Sequence, residues 1–267
     1  MKPILKWAGG KTALLDQIKL LMPKSFNTYY EPFFGGGAVF FGTDVKEAVL
    51  SDINTELMNC YMQVKKHCDQ LVPLLDELQK NHSESKYYEL RTVFNLRKAS
   101  GNELDVYDAA LMMYLNKAGF NGIYRENRQG NFNIPSGHRS IVTLYDKDNL
   151  YCVSSKLQNA TILSCDFEEA LADAKEGDFV YIDSPYDETF SDYQRNGFSK
   201  KDHERLADLC NKLTDKKVLF LLSNSDSNLI RELYASNGYE IKEVKVVRNI
   251  RFRGNRKEET ELLIKNY

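Results

Sequence analysis

Two short clusters in this sequence carry residue types that could do chemistry. Tyr181-Ile182-Asp183-Ser184-Pro185-Tyr186 sets an acid, a backbone carbonyl and an aromatic ring close together. Such a trio can hold a planar amine: the Asp183 carboxylate accepts one N–H, the Ser184 carbonyl accepts the other, and the Tyr186 ring stacks on the plane. Asp, Ser and Pro also suit an ordinary strand-end turn, and taken alone the residues do not decide between the two. The second cluster is Glu31-Pro32-Phe33-Phe34-Gly35-Gly36-Gly37-Ala38-Val39-Phe40, a strand end, three glycines and an apolar helix start. Glycines there let the backbone turn sharply and approach a ligand closely. Further on, Val49-Leu50-Ser51-Asp52 puts a carboxylate at the end of the next strand. An acid in that place can take both hydroxyls of a ribose, so the pair suggests an adenosine-type cofactor.

Absent patterns narrow the chemistry. No Gly-Lys-Ser/Thr phosphate loop follows the first strand, which disfavours a nucleoside triphosphatase. The spacing Phe33-x-Gly35-x-Gly37 is not the Gly-x-Gly-x-x-Gly fingerprint of dinucleotide sites, so a nicotinamide or flavin enzyme is disfavoured as well. The 5 cysteines are scattered, with no Cys-x-x-Cys pair, so a disulfide framework is not expected. Cys60, His67 and Cys68 could be imagined as zinc ligands, but they lie on a helical pattern with no fourth ligand and read as structural. No metal is expected.

These clusters need a sheet to position them. Residues 27–31 and 48–51 are strand-like, each followed by a turn and a helical pattern, and 161–164, 179–183 and 218–223 are short apolar runs of the kind buried in a parallel sheet. Residues 200–213 have helical spacing in Leu206, Leu209 and Leu213. The pattern changes at the end, where 240–247 alternates, a basic loop follows, and 261–264 can return antiparallel. The expected fold class is α/β, a mostly parallel Rossmann-like sheet with an antiparallel C-terminal hairpin. Residues 54–159 interrupt the alternation, helical to about Asn116 and then polar and rich in Gly and Asn. They read as a mainly helical domain inserted into a catalytic domain made of 1–53 and 160–267.

Composition agrees with a globular protein. The chain has 267 residues, 42% hydrophobic and 28% charged, with a formal net charge of −2. A chain of this length buries roughly three quarters of its extended surface and needs no staples. No apolar run approaches the ~20 residues of a membrane span, and the first residues carry no secretory h-region, so a cytoplasmic protein with no membrane partner is expected. Near-zero net charge excludes a uniformly basic nucleic-acid binder but not local basic patches.

Taken together, the motifs resemble the Dam-type DNA adenine-N6 methyltransferases, the D12 class. The resemblance runs in order over nearly the whole chain. It begins with Leu5-Lys6-Trp7-Ala8-Gly9-Gly10-Lys11, the glycine cluster and Ser51-Asp52-Ile53-Asn54. It continues through Leu115-Asn116-Lys117-Ala118-Gly119-Phe120-Asn121-Gly122-Ile123-Tyr124-Arg125 and Gly130-Asn131-Phe132-Asn133-Ile134-Pro135. It closes with Cys165-Asp166-Phe167, Asp183-Ser184-Pro185-Tyr186 and Leu222-Ser223-Asn224. The resemblance implies S-adenosylmethionine as methyl donor and a flipped adenine in double-stranded DNA as acceptor. By matching position, Trp7 and Lys11 would help enclose the cofactor, Phe33, Gly35 and Gly37 would form its turn, Asp52 would hold the ribose, and Asp166 and Phe167 would contact its adenine. Asp183, Ser184, Pro185 and Tyr186 would form the catalytic clamp, with Asp183 also bordering the cofactor. One position departs from the pattern: the family usually carries Pro where this chain has Ser184. Serine keeps the backbone carbonyl but loses the fixed φ of proline.

The recognition region is expected at about 117–139, as a β-hairpin. It carries Lys117, Arg125, Arg128 and Arg139 against the single acid Glu126, with Phe120, Tyr124 and Phe132 interleaved. Arg and Asn read guanine and adenine edges, and an aromatic ring can wedge into a base step; an ordinary polar hairpin would look similar. In the family the corresponding hairpin reads GATC. That implies Arg125 as guanine reader, Ile123 and Pro135 touching bases, Phe120 as intercalator, and Lys117, Asn121, Asn127 and Asn133 serving backbone contacts or hairpin geometry. His138-Arg139 stands where relatives tend to have Arg-Tyr. A second basic patch, Arg248, Arg251, Arg253, Arg256 and Lys257, suits phosphate contact, with Arg251 and Arg253 at its centre. The enzyme is expected to be a monomer in solution. The alternatives are a DNA-binding pseudo-methyltransferase in which Ser184 marks lost catalysis, or a cytosine-N4 or RNA methyltransferase.

Overall fold

The structure, a computed structural model, describes residues 1–187, 198–235, 237–249 and 256–267, and describes no side chains at 247–249 or 256–258. After α1 (Leu15–Leu21) the chain alternates β1 (Tyr29–Glu31), α2 (Ala38–Gly42) and β2 (Ala48–Ser51). Four helices follow: α3 (Thr55–Lys80), α4 (Glu84–Ala99), α5 (Val106–Ala118) and α6 (Lys147–Leu157). The alternation then resumes with β3 (Ala160–Leu163), α7 (Phe167–Ala170), β4 (Phe179–Ile182), α8 (Lys200–Asp215), β5 (Leu219–Ser225), α9 (Asn228–Ala235), β6 (Glu240–Asn249) and β7 (Arg256–Lys265).

The strands make one seven-stranded sheet in the order β3-β2-β1-β4-β5-β7-β6. The first five are mutually parallel, and β7 pairs antiparallel with both β5 and β6. This is the mostly parallel sheet with an antiparallel C-terminal hairpin that the apolar runs predict. The strands of its centre are buried and mostly apolar because both faces are covered, with polar residues at the carboxyl ends of β1 and β5. Tyr29, Phe179, Tyr181 and Leu221 enter the core cluster on one side, while Tyr30, Val180, Ile182 and Leu222 enter the one on the other.

The order reverses between β1 and β4. The chain runs from β1 outward to β2 and β3, then crosses back to β4 on the other flank. A crevice opens at such a switch point, outside the carboxyl ends of the strands. The glycine cluster leaves β1 there and the Asp183 cluster leaves β4 there.

Helices α3 to α6 share the core on one sheet face. In α5 nearly every side chain from Asp108 to Ala118 is buried, and its start is fixed by an Asp105/Asp108 capping box. Arg97 on α4 grips both acids, with Nε 2.6 Å from Asp108 and Nη2 2.9 Å from Asp105. Cys60, His67 and Cys68 all lie on α3, where both cysteines are buried core members. No helix among the described residues is long and apolar enough to cross a membrane.

Candidate active site

Asp183 is the first residue after β4 and its side chain is only 19% exposed. Burial pushes its carboxyl above the usual range, and two donors oppose that shift. The Lys11 ammonium, itself buried, lies 2.6 Å from Oδ1, and the Ser223 hydroxyl donates to the same oxygen at 3.1 Å. Lys11 also donates to the Gly9 carbonyl at 2.8 Å and sits 4.7 Å from the centre of the Tyr186 ring. The structure therefore places Lys11 against the acid and the aromatic ring of the β4 cluster. Ser184 is buried, and its hydroxyl accepts from Asn224 Nδ2 at 3.0 Å. The Tyr186 hydroxyl donates to Glu261, a buried carboxylate on β7. Each polar member of the cluster is thus held by a neighbouring strand, Asp183 and Ser184 from β5 and Tyr186 from β7.

The glycine turn follows from β1. Gly35 and Gly37 have φ of +49° and +66°, the left-handed region that side-chain-bearing residues avoid. Asp52 ties this turn to the end of β2: Oδ2 accepts the Gly35 N–H and Oδ1 the Asn54 N–H, each at 3.0 Å. A carboxylate offers about four lone-pair sites, so these bonds leave acceptor capacity for a hydroxyl group. Phe33 and Phe167 stack with ring centres 5.4 Å apart, and Phe198 meets Phe33 edge-on at 5.7 Å. Asp166 caps α7 and accepts from Arg205 at 2.9 Å, while the Arg205 guanidinium lies over the Phe167 ring. Aromatic faces beside two oriented carboxylates fit an adenosine. The Trp7 ring packs on Gly35, where an added Cβ would come within 2.8 Å of Trp7 Cδ1.

Residues 117–139 run out and back antiparallel without a regular ladder. Two isolated bridges, Gly119 to Ser136 and Glu126 to Phe132, are joined by the bonds Phe120 N–H to Pro135 O and Asn133 N–H to Arg125 O. The returning limb is anchored by α4 instead. Asn95 bonds both backbone groups of Phe132, and Tyr87 and Arg91 both donate to the Ile134 carbonyl. Phe120, Ile123 and Pro135 are exposed, while Phe132 and Ile134 are buried. Arg125 Nε donates to Asn133 Oδ1 at 2.9 Å. Asn127 Oδ1 accepts the N–H groups of Gln129 and Asn131, and Asn121 adopts a left-handed φ of 57°. Lys117 is half-buried, and burial together with Lys6 pulls its ammonium down. Tyr124 stacks on Trp7 at 5.4 Å, so the loop and the glycine turn share one aromatic post.

Arg251 and Arg253 lie outside the described residues. Sequence reasoning gave no role to Ser223, Asn224, Glu261 or Arg205. For the three on strands a local signal is polarity beside apolar residues, at Ser223 and Asn224 after Leu219-Phe220-Leu221-Leu222 and at Glu261 before Leu262-Leu263-Ile264, while Arg205 lies on α8. Among the described residues, no three His, Cys, Asp or Glu side chains are grouped to hold a metal ion.

A parallel sheet ending in an antiparallel hairpin, with a glycine turn and an acid-led aromatic cluster at its switch point, defines a Rossmann-like methyltransferase fold. Residues 7–250 match the family of D12 class N6 adenine-specific DNA methyltransferases. The type II methyltransferase M1.LlaDCHI of Lactococcus lactis subsp. cremoris is 40% identical over 276 residues, covering 100% of this chain and 96% of the relative. The DNA adenine methylase of Escherichia coli K12 is 34% identical over 273 residues, covering 100% and 95%. The chain belongs to the D12 class N6 adenine-specific DNA methyltransferases, and its substrate is DNA. Among solved structures, a precorrin-6y C5,15-methyltransferase from Geobacter metallireducens is similar at a TM-score of 0.42 and 10% identity, covering 100% of this chain and 97% of that one. The fold assignment rests on the strand order.

Proposed function

We propose that this enzyme methylates N6 of the adenine in GATC, in double-stranded DNA, with S-adenosylmethionine as donor and with the adenine turned out of the duplex. The observation that carries the reading is the clamp: Asp183, Ser184 and Tyr186 stand together at the switch point, each held from β5 or β7, beside a turn that fits an adenosine. S-adenosylmethionine supplies an electrophilic methyl group on a positively charged sulfur. Phe33, Phe167 and Asp166 would hold its adenine, Asp52 its ribose, Gly35 and Gly37 the close backbone approach, and Trp7 the open side.

The adenine amine is a poor nucleophile because its lone pair is delocalised into the ring. The Asp183 carboxylate and the Ser184 carbonyl each accept one of its N–H groups and draw N6 toward a tetrahedral, electron-rich state. Pro185 sets the direction in which the chain leaves the clamp. Stacking on Tyr186 offsets part of the few kcal/mol needed to take a base out of the helix. Lys11 keeps Asp183 ionised until the amine arrives. The rate then comes mainly from positioning and preorganised dipoles.

Residues 54–159 form the DNA-recognition unit and residues 1–53 with 160–267 the catalytic one. In the loop at 117–139, Arg125 held by Asn133 reads guanine, exposed Ile123 and Pro135 touch bases, and exposed Phe120 wedges into a step. Lys117, Asn121 and Asn127 shape the loop or meet the backbone. One protomer carries every residue named, so a monomer suffices.

The test is methyl transfer from S-adenosylmethionine labelled in the methyl group, comparing the wild type with Asp183→Ala. We expect label in N6-methyladenine with the wild type, and loss of label in the variant while cofactor and DNA binding persist. Label on cytosine, or on RNA in place of DNA, would overturn the reading.

A further inference from the structure

The second position of the clamp carries serine where the family usually carries proline, and the structure shows what holds it. Ser184 and Asn224 are each 1% exposed. Asn224 lies on β5 two residues beyond Leu222, which pairs in register with Ile182 on β4, so it stands beside Ser184. Its Nδ2 donates to Ser184 Oγ at 3.0 Å. Its Oδ1 accepts the N–H of Asp187 at 3.4 Å, and that of Ser225 at 2.8 Å. One buried amide therefore spans the clamp from its second residue to the residue just past Tyr186, and its oxygen is also tied to its own strand.

Proline at this position would fix φ covalently. Serine leaves that torsion open, although the following Pro185 confines Ser184 to extended conformations. The Ser184 carbonyl must point at one N–H of the amine, so a residual swing of this peptide would weaken the second acceptor. We infer that Asn224 is a positioning residue, one that acts through the Ser184 hydroxyl to fix the Ser184 carbonyl and so replaces proline's lock with a hydrogen bond. This rests on the proposed reading of the clamp. It makes Ser184 a compensated substitution and not a mark of lost catalysis.

A proline at 184 cannot accept the Asn224 bond and does not need it. The two devices are alternatives, and a double-mutant cycle separates them. The measured quantity is the single-turnover methylation rate on a GATC duplex, with cofactor affinity, DNA affinity and thermal midpoint measured alongside. Ser184→Ala and Asn224→Ala are each expected to lower the rate by about tenfold, equivalent to about 1.4 kcal/mol. Their combination should be no slower than either alone. Cofactor and DNA affinities should stay near wild type, because neither side chain meets either ligand. Ser184→Thr, which keeps the hydroxyl, should be slowed less than Ser184→Ala. In the Ser184→Pro background, Asn224→Ala should cost less than twofold relative to Ser184→Pro itself.

A purely structural role for Asn224 would lower the thermal midpoint equally in both backgrounds with the rate unchanged, and that result would overturn the inference. So would a wild-type rate in Ser184→Ala. If the wild type itself made no N6-methyladenine, the clamp reading would fail first. If it did, and Ser184→Ala and Asn224→Ala both left the rate unchanged, only the role of Asn224 would fall.

Discussion

Glu31→Gln gives a sharp test of the electrostatics beneath the site. Glu31 closes β1, is 3% exposed, and accepts the Tyr29 hydroxyl at 2.7 Å. Burial, with a smaller push from Asp183, raises its carboxyl to about 8, outweighing the Tyr29 bond and the Lys156 charge that favour the anion. In the unfolded chain the same group titrates near 4.5. Between these two values the folded state holds a proton that the unfolded state has released. The folding free energy therefore weakens as pH rises through that window, with a slope of about 1.4 kcal/mol per pH unit. From pH 5 to pH 7.5 the wild type should lose about 3 kcal/mol relative to Glu31→Gln, whose amide keeps an acceptor for Tyr29 and cannot ionise. Urea unfolding of both proteins at several pH values reads the difference directly, because the other titrating groups cancel. A pH-independent gap between the two stabilities would refute the reasoning, since it would mean that Glu31 ionises in the folded protein as it does in water.

Three further outcomes follow from the site. Lys11→Met removes the ammonium that opposes the upward pull of burial on Asp183. Asp183 should then protonate at higher pH, and the acid limb of the single-turnover pH–rate profile should move upward; an unmoved limb would remove Lys11 from this role. Gly37→Ala places a Cβ 2.5 Å from Phe34 Cζ at a φ of +66°, and it should cost about 2–5 kcal/mol from left-handed strain and overpacking together. Its check is thermal unfolding, and a shift corresponding to less than 1 kcal/mol would contradict the packing described. Arg125→Ala should relax discrimination at one guanine by about 1–3 kcal/mol while DNA affinity for other sequences changes little. Competition binding with single-base variants measures this, and a uniform loss across sequences would reassign Arg125 to the backbone.

The sheet was legible because burial on both faces writes itself into contiguous residues. The runs at Ala48–Ser51 and Phe179–Ile182 are short, apolar and flanked by turn residues, and both became parallel strands. The ends of runs were less legible. The C-terminal partner extends over Arg256–Lys265, well beyond the apolar stretch, because its polar half pairs with β6 outside the core. The contiguous clamp could be picked out as a unit, but its braces could not. Asn224 meets Ser184 across 40 residues and Glu261 meets Tyr186 across 75, and only strand order brings them together. The contact of Lys11 with Asp183 was hidden for the same reason. In the loop at 117–139, the turn dipeptides Asn121-Gly122 and Gln129-Gly130 suit a regular hairpin. Side chains of α4 take the backbone groups of Phe132 and Ile134 that a ladder would have used, so only isolated bridges form.

The central claim is site-specific transfer to adenine N6, and one measurement reaches it most directly. Paired duplexes, one containing GATC and one with that site scrambled, are incubated with the wild-type enzyme and labelled S-adenosylmethionine, then digested to nucleosides. The account predicts label in N6-methyladenine from the GATC duplex alone. Equal label from both duplexes would contradict the assigned sequence. No label from either, with cofactor and DNA both shown to bind, would contradict the clamp of Asp183, Ser184 and Tyr186 as a working active site.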